Sequence, residues 1–289
     1  MDSMKSDRCL LFVGAHPDDE SFGPGGTLAH YALQGVKVYY ACATRGEVGA
    51  AAPEHMAGFE SPADMRWSEL TCAAEALRLA GVIHLGYRDS GMPGSTNNTE
   101  PDALAAAPLD EVTSRVVKLI RDLRPQVVMT FDPIGGYRHP DHIAIHNATV
   151  KAFQAAGDPT QYPEAGPAYQ PQKLYYEVFP RRLLRLAVRL MPLFGRDPHR
   201  FGQNQDVDLA SLAEVDFPIH ARIPISAEAA RAKSAASACH RSQLGGMPAD
   251  RGLMGLAMRV FQGQEVFMRA QPLVANGRLH ETDLFQGVH

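Results

Sequence analysis

Near its N-terminus the chain reads Arg8-Cys9-Leu10-Leu11-Phe12-Val13-Gly14-Ala15-His16-Pro17-Asp18-Asp19-Glu20. The apolar run from Leu10 to Val13 is too short to span a membrane and is typical of a strand buried on both faces. Pro17 disfavours helical backbone at His16, so the chain must turn where this strand ends. Open α/β sheets bind ligands at the carboxyl ends of their strands. The stretch therefore predicts a strand that delivers a histidine and three acids to a binding edge.

The three consecutive acids Asp18, Asp19 and Glu20 have two interpretations. Like charges this close are costly without a compensating cation, which favours a bound metal ion. Helix capping is the alternative, because acids suit a first turn and Pro17 suits the first helical position. Capping accounts for one or two acids but gives His16 no role. We therefore prefer the metal interpretation.

Strand patterns alternate with helical patterns along most of the chain. Strands are predicted at 36–43, 82–85, 126–131 and 173–179, and helices at 27–34, 63–79, 109–123 and 142–156. This alternation predicts an α/β fold with a Rossmann-like, mostly parallel, doubly wound sheet, helices on both faces and the active site at the carboxyl ends of the strands. We predict one catalytic domain over residues 1–289, in which 226–289 supply C-terminal helices (227–240, 251–261) and a final strand (264–270). Gly23, Gly25 and Gly26 do not form G-x-G-x-x-G, so no nucleotide site is expected.

The overall charge and the cysteines narrow the class of protein. A net charge of −4 gives no electrostatic reason to expect a nucleic-acid partner. The polar first residues are not expected to be a signal peptide, and no stretch is long enough to cross a bilayer. Cys9 and Cys42 lie in strand-like runs, which predicts buried free thiols and agrees with a reducing compartment. We therefore expect a cytoplasmic protein, while the oligomeric state stays open.

An arginine-rich segment interrupts this pattern at 181–210, where we predict an insertion or lid. Residues 181–200 contain six arginines, and Arg181, Arg185 and Arg189 recur at four-residue spacing, which predicts a basic amphipathic helix. Our preferred interpretation is an ordinary surface helix with its apolar side on the core. The alternatives are a lid over the site, a dock for an anionic substrate, or a weak contact with a membrane surface.

A second polar cluster follows the predicted strand 126–131 and reads Gly136-Tyr137-Arg138-His139-Pro140-Asp141-His142. It repeats the order of strand, His-Pro, acid and helix. His139 and His142 are three residues apart across a helix start, so both can face the edge of the sheet. His146, one turn further on, is predicted to be packed or hydrogen-bonded and to lie outside the site.

Together the two clusters favour His16, Asp19 and His142 as metal ligands. Three histidine and carboxylate ligands leave one coordination position open for water, as a catalytic site requires. Zinc is the expected ion, and Fe(II) is the alternative that the same donors accept.

The remaining polar side chains suit the hydrolysis of an amide. Asp18, beside the metal, is placed as the general base for water. His139 is placed to stabilise an oxyanion or to protonate a leaving amine, with Asp141 setting its tautomer. Tyr137 could donate a further hydrogen bond to a polarised carbonyl oxygen. The spacing does not name the substrate.

At this point the sequence resembles the LmbE-like (PIG-L) zinc deacetylases. The resemblance rests first on the two clusters just described. It extends to Thr44-Arg45-Gly46-Glu47, Arg66 with Glu69, residues 86–89, and residues 233–243 with His240-Arg241-Ser242-Gln243. This family removes acetyl groups from N-acetylglucosamine conjugates, including glucosaminyl-inositol and glucosaminyl-malate precursors of low-molecular-weight thiols. The resemblance therefore implies a small amino-sugar conjugate as substrate.

The resemblance also implies a role for individual residues. It matches His16, Asp19 and His142 to the metal ligands, Asp18 to the base, His139 to the electrophilic histidine and Tyr137 to the carbonyl-polarising tyrosine. It implies that Arg66 and Asp89 hold sugar hydroxyls and that Glu47 lines the same pocket. As structural alternatives, Arg66 could pair with Glu69 along its helix and Asp89 could shape its turn.

Three other functions stay open at this stage. His16-x-Asp18 with a distant histidine also fits non-haem iron oxygenases, although those sites usually lie in all-β barrels. An amidase of the same family would cleave a larger thiol or glycoconjugate amide. A non-catalytic sugar-binding protein would bind ligand without turnover.

Overall fold

The computed structural model describes residues 8–49, 52–200, 208–243, 263–275 and 278–289. Its strands are β1 (Cys9–Gly14), β2 (Lys37–Cys42), β3 (Gly81–His84), β4 (Val127–Thr130), β5 (Lys173–Glu177), β6 (Ala221–Pro224) and β7 (Gln264–Gln271). They form one seven-stranded sheet in the order β3-β2-β1-β4-β5-β7-β6. The helix predicted at 251–261 lies outside the described residues.

The described helices follow the predicted alternation closely. They are α1 (Asp19–Phe22), α2 (Gly25–Leu33), α3 (Pro62–Ala76), α4 (Leu109–Leu123), α5 (Gly135–Arg138), α6 (Pro140–Ala155), α7 (Arg181–Leu190), α8 (Leu209–Glu214) and α9 (Ala227–Cys239). Helix α4 packs against α6, while α2 and α3 both pack against α9. Two groups of helices thus flank the sheet, as expected.

The pairing of the strands decides where the two polar clusters lie. β1 pairs in parallel with β2 on one side and with β4 on the other. β4 pairs in parallel with β5, and β7 is antiparallel to both β5 and β6. The predicted mostly parallel sheet is therefore confirmed. Because β1 and β4 are parallel neighbours, their carboxyl ends bring His16-Pro17 and His139-Pro140 to the same edge.

Burial explains why β1 occupies the centre. All six of its residues are buried, and Leu10, Leu11, Phe12 and Val13 have no exposed surface. A strand covered on both faces needs apolar side chains at every position, which is the pattern of the sequence there. A smaller apolar cluster of alanines and leucines joins α2, α3 and α9.

The cysteines divide into two kinds. Cys9 and Cys42 are buried and free, as predicted. Cys72 on α3 and Cys239 on α9 form a disulfide whose Cα atoms are 5.9 Å apart. Their separation of 167 residues gave no sequence signal for this pair. Among the described helices, none is both long enough and apolar enough to cross a membrane.

Helix α7 differs from the surface helix that we expected in the arginine-rich segment. Its N-terminal Arg181 is buried and Arg185 is only partly exposed, whereas Leu186 and Leu190 are exposed. Arg185 faces the protein because its Nε donates to the carbonyl of Ala213, with a distance of 2.8 Å. The expectation that the apolar side of this helix faces the core is therefore wrong for two of its leucines.

Candidate metal centre

The first loop, residues 15–18, joins β1 to α1, and several hydrogen bonds fix the conformation of its backbone. The N–H groups of Ala15 and His16 donate to Oδ2 of Asp19, at 2.9 and 2.7 Å, and the hydroxyl of Tyr40 donates to the His16 carbonyl at 2.6 Å. The backbone of Asp18 has φ 126°, a value that residues other than glycine rarely adopt. Such strain persists only where the surroundings impose it, and it is found preferentially at functional sites.

The second loop, residues 131–139, joins β4 to α6 and turns at two glycines. Gly135 and Gly136 have positive φ, and a Cβ on Gly135 would lie 2.8 Å from the Cβ of His142, so no larger residue fits there. Oδ1 of Asp132 accepts from the N–H groups of Ile134 and Gly136 at 3.1 and 2.8 Å. This turn sets the direction from which α6 approaches the first loop.

The start of α6 points His142 towards His16. His139 is the N-cap, and its Nδ1 accepts from the N–H of Asp141 at 3.2 Å. His142, in the first turn, stacks flat on Phe131, with ring centroids 3.8 Å apart. An apolar ring on one side and a helix on the other fix the orientation of this imidazole.

Donor atoms of the predicted ligands converge. Nδ1 of His16 lies 3.2 Å from Nε2 of His142, which in turn lies 3.4 Å from Oδ1 of Asp19. Nδ1 of His16 is 3.9 Å from Oδ2 of Asp19, the oxygen that accepts the two backbone N–H groups. Tetrahedral ligands about 2.0–2.1 Å from a zinc ion are about 3.3–3.4 Å apart. The two shorter separations are close to this value.

The protonation of His16 gives a second test of whether a cation fits. Its Nε2 lies 3.1 Å from Oδ2 of Asp141 and 3.5 Å from Oδ1 of Asp89, so we assign the imidazole proton to Nε2. A lone pair on Nδ1 then faces Nε2 of His142 and the nearby carboxylate. The donor set fits a divalent ion.

The distances from Asp19 to His16 and to His142 involve its two different oxygens, and two combinations of donors without Asp19 are more compact in the described part of the chain. Ligand atoms of His16, His139 and His142 lie within 4.8 Å of one another, and so do those of His16, Asp89, His139 and Asp141. Nδ1 of His139 already accepts the N–H of Asp141, which leaves only its Nε2 for another role. His16 belongs to every such set.

Asp141 does not act on His139 in the way that the sequence suggested. Its Oδ2 accepts from the Ser90 N–H at 2.9 Å and lies beside Nε2 of His16, and its Oδ1 accepts a short bond from the Ser90 hydroxyl. The backbone N–H of Asp141, not its carboxylate, contacts Nδ1 of His139. The carboxylate therefore orients His16, as outer carboxylates commonly do for metal-binding histidines.

Asp18 is paired with Arg66, and its charge interacts with those of Asp19 and His16. Nη2 of Arg66 lies 2.9 Å from Oδ2 of Asp18 and also donates to the Pro17 carbonyl at 2.6 Å. Burial raises the pKa of Asp18 to about 6, against the opposing charge of Arg66. Glu69 bonds Ser242 instead of Arg66, so the alternative of an Arg66–Glu69 pair along α3 is wrong.

The other predicted side chains surround the same point. Asp89 is buried beside His16, and its N–H donates to Oε2 of Glu47 at 2.9 Å. Tyr137 is partly exposed, with its ring edge against His142 at a centroid distance of 5.0 Å. Burial and the neighbouring histidines lower the pKa of His139 to about 2. His139 is therefore neutral, and with Nδ1 accepting, its proton is on Nε2.

His146 lies apart from this group. Its Nδ1 is 2.8 Å from the Phe131 carbonyl, which is the kind of packed, hydrogen-bonded position that the sequence predicted for it.

Two contributors had no role in the sequence interpretation. Glu20 is fully buried, with Oε1 2.7 Å from Nε2 of His240 and Oε2 accepting from the N–H of Asp18 at 3.0 Å. Ser90 holds Asp141. The sequence singled out Glu20 only as one of three consecutive acids. It could not show the partner of Glu20, because His240 lies 220 positions away.

Comparison with known proteins agrees with this geometry. Residues 11–153 match the family model described as PIG-L: GlcNAc-PI de-N-acetylase. A 1D-myo-inositol 2-acetamido-2-deoxy-alpha-D-glucopyranoside deacetylase from Geodermatophilus obscurus is 37% identical over 301 residues, covering 99% of each chain. The protein of the same description from Kineococcus radiotolerans is 36% identical, covering 100% of this chain and 85% of its own length.

The fold also occurs among solved structures. The N,N'-diacetylchitobiose deacetylase from Pyrococcus horikoshii superposes with a TM-score of 0.60 at 20% identity, covering 93% of this chain and 86% of the other. At this identity the likeness concerns the fold, because one fold supports many activities.

Proposed function

The chain belongs to the PIG-L (GlcNAc-PI de-N-acetylase) family, and from this premise we propose that it is a metal-dependent hydrolase that removes the acetyl group from an N-acetylglucosamine conjugate. The observation that carries the proposal is the convergence of His16, His142 and Asp19 from two separate loops, together with the Asp18 carboxylate, whose charge interacts with those of Asp19 and His16. That arrangement suits the attack of water on an amide.

We assign His16, Asp19 and His142 as the residues that hold the ion. A divalent ion there would supply a Lewis acid for the amide carbonyl and would acidify a water molecule. Zinc is our proposal for the ion, with Fe(II) as the alternative. Asp141 keeps the Nε2 proton of His16 in place, so that Nδ1 stays available as a donor atom.

The chain's own side chains then move the protons. Asp18 accepts a proton from the attacking water and delivers it to the nitrogen as the C–N bond breaks, which leaves acetate and a free amine. A pKa near 6 suits both halves of that task. The Nε2–H of neutral His139 and the hydroxyl of Tyr137 donate to the oxyanion that forms on the carbonyl oxygen.

We propose an inositol-linked N-acetylglucosamine as the first substrate to test, since the two relatives above are described as deacetylases of such a compound. Asp89, Arg66 and Glu47 are our candidates for contacts with sugar hydroxyls. Asp89 and Arg66 are buried and already contact His16 and Asp18, so a sugar that contacts them must lie close to the reacting carbonyl. A cytoplasmic location is part of the same proposal, although the disulfide between Cys72 and Cys239 is of a kind that is rare in a reducing compartment.

The decisive experiment measures acetate released from a panel of N-acetylglucosamine conjugates, with and without a chelator. We expect release from at least one conjugate, loss of release after chelation and recovery when zinc is returned. Release of a larger acid would identify an amidase. Oxygen consumption on adding Fe(II) and substrate would instead favour an oxygenase. Ligand binding without turnover in the metal-loaded protein would indicate a non-catalytic sugar-binding protein.

A further inference from the structure

The arginine-rich segment carries an apolar surface that faces outward, made by Leu186 and Leu190 on α7 and by Leu193 and Phe194 just after it. We call these four residues the apolar ridge. Leu193 and Phe194 are 77% and 78% exposed, which is extreme for side chains of this size. Adjacent exposed apolar residues of this kind mark an interaction surface.

Positive charge borders the ridge. Residues 181–200 hold six arginines against the single acid Asp197, a net charge of +5 in a chain of net charge −4. Arg189, Arg196 and Arg200 are exposed. None of the three side chains has a hydrogen bond or ion pair within the described ranges. Two of the nearby acids are already engaged, because Asp216 lies 3.4 Å from Arg185 and Asp208 lies 3.1 Å from His199. A third acid, Glu214, is exposed and lines the same groove as Arg189, without an ion pair in the described part of the chain.

Contacts with the rest of the protein explain why the leucines of α7 face solvent. Arg185 is held inward by the Ala213 carbonyl and Asp216, and Arg181 is buried with its Nη2 3.5 Å from Asp132. The two arginines on the inner side turn Leu186 and Leu190 towards solvent. An apolar ridge bordered by cations is the pattern of a helix that lies in the plane of a membrane interface.

We propose that the apolar ridge and Arg189, Arg196 and Arg200 form a docking surface for an anionic lipid bilayer. The leucines and phenylalanine enter the boundary between headgroups and acyl chains, and the arginines contact anionic headgroups. A second copy of the chain suits this surface less well, because a symmetric dimer would place the exposed Arg189, Arg196 and Arg200 of one copy close to those of the other. The inference does not depend on the proposed catalytic activity.

The start of α7, which precedes the ridge, adjoins the candidate metal centre. Asp132, the partner of Arg181 at the start of α7, also holds the turn that leads to Tyr137 through its bond to the Gly136 N–H. Phe179, two residues before α7, is exposed and lies near Gly136. The helix that carries the ridge is therefore joined at its start to the loop that carries Tyr137.

The test is co-sedimentation of the full chain with vesicles, which needs no turnover. We expect binding to phosphatidylcholine vesicles that contain about a quarter phosphatidylglycerol, and little binding to phosphatidylcholine alone. Binding should weaken strongly at about 0.5 M salt, where exposed charges are screened. Substitution of Arg189, Arg196 and Arg200 together by Gln should weaken binding about 10- to 100-fold.

Matched variants distinguish docking through the ridge from non-specific adsorption to vesicles. The double variant Leu193→Ser, Phe194→Ser should lose about tenfold or more in binding. Leu273→Ser removes an equally exposed leucine (79%) outside the segment and should bind as the parent does, as should the control Arg222→Gln, Arg231→Gln. Equal binding to neutral and anionic vesicles, or none to either, would overturn the proposal. So would a dimer in light scattering that the Leu193, Phe194 double variant dissociates.

Discussion

The loop after β1 and the loop after β4 both contain His-Pro-Asp, yet the same three residues take different positions. In the second loop the segment is regular: His139 caps α6 and accepts the N–H of Asp141. In the first loop the N–H of Asp18 donates to Glu20 instead of to His16, and Asp18 takes a positive φ. The strained turn thus frees the His16 ring from capping, so that both of its nitrogens can contact other groups.

The difference extends to the acids. Asp141 is fully buried and hydrogen-bonded to Ser90, so it can only orient its neighbour His16. Asp18 keeps 17% of its side chain exposed, and its charge interacts with those of Asp19 and His16. Identical motifs therefore supply the carboxylate that we propose as the base in one loop and a carboxylate hydrogen-bonded to Ser90 in the other, and the histidine that meets His16 is His142, three positions after His139. Substitutions at corresponding positions of the two loops test whether the two carboxylates have different roles.

The largest effect is expected from His142→Ala. If His142 holds the ion together with His16 and Asp19, the purified variant should contain almost no metal by elemental analysis. Acetate release should fall at least about 10³-fold, because a Lewis acid contributes several kcal/mol to such a reaction.

Two histidines on the same side of the fold provide the controls. His146→Ala changes α6 one turn further on and should keep the metal. His139→Ala should also keep the metal while losing turnover, because its Nδ1 is used by the Asp141 N–H. Loss of the ion from His139→Ala would show that one of the other donor sets is the real one.

Asp18→Asn should come next in size. The amide keeps the shape of the carboxylate but cannot accept the proton of water, so we expect turnover to fall about 10²–10⁴-fold. Metal content and the melting temperature should change little. Steady-state acetate release at saturating zinc measures the effect, and near-native activity would remove Asp18 from the role of base.

Asp141→Asn tests the opposite member of the pair. An amide facing Nε2 of His16 can present its own donor there and disturb the tautomer, which should weaken metal affinity about 10–100-fold. Turnover should recover largely when zinc is supplied in excess, unlike that of Asp18→Asn. Competition with a chromophoric chelator gives the affinity. An unchanged affinity would mean that Asp141 does not support a ligand.

The sequence was sufficient for much of this arrangement because the relevant signals are local. The apolar run of β1 and the period of α4 predicted their elements closely, and the two His-Pro-Asp clusters predicted which loops would meet. The roles of the site residues stay predictions for the experiments above. The position of the site residues at one edge of the sheet followed from a single rule, namely that polar residues directly after parallel strands lie at the carboxyl ends of those strands.

The rest depended on contacts between distant parts of the chain. The pair of Glu20 and His240 joins residues that no spacing rule connects, and so does the disulfide between Cys72 and Cys239. The backbone at Asp18 is set by surrounding hydrogen bonds and not by its own preference, so its φ could not be read from residue type. The outward ridge of α7 likewise depends on Ala213 and its neighbours, which hold the inner arginines.

The smallest effect is expected at a position that supports the first loop from outside it. The Tyr40 hydroxyl donates to the His16 carbonyl at 2.6 Å, and Tyr40 is fully buried. Tyr40→Phe should reduce the free energy of unfolding by about 1 kcal/mol, since it leaves a buried carbonyl without this donor. Tyr176→Phe is the control, because Tyr176 is a buried residue whose hydroxyl has no hydrogen bond in the described part of the chain. If both variants melt alike in calorimetry, the Tyr40 bond is not what holds the strained first loop in place.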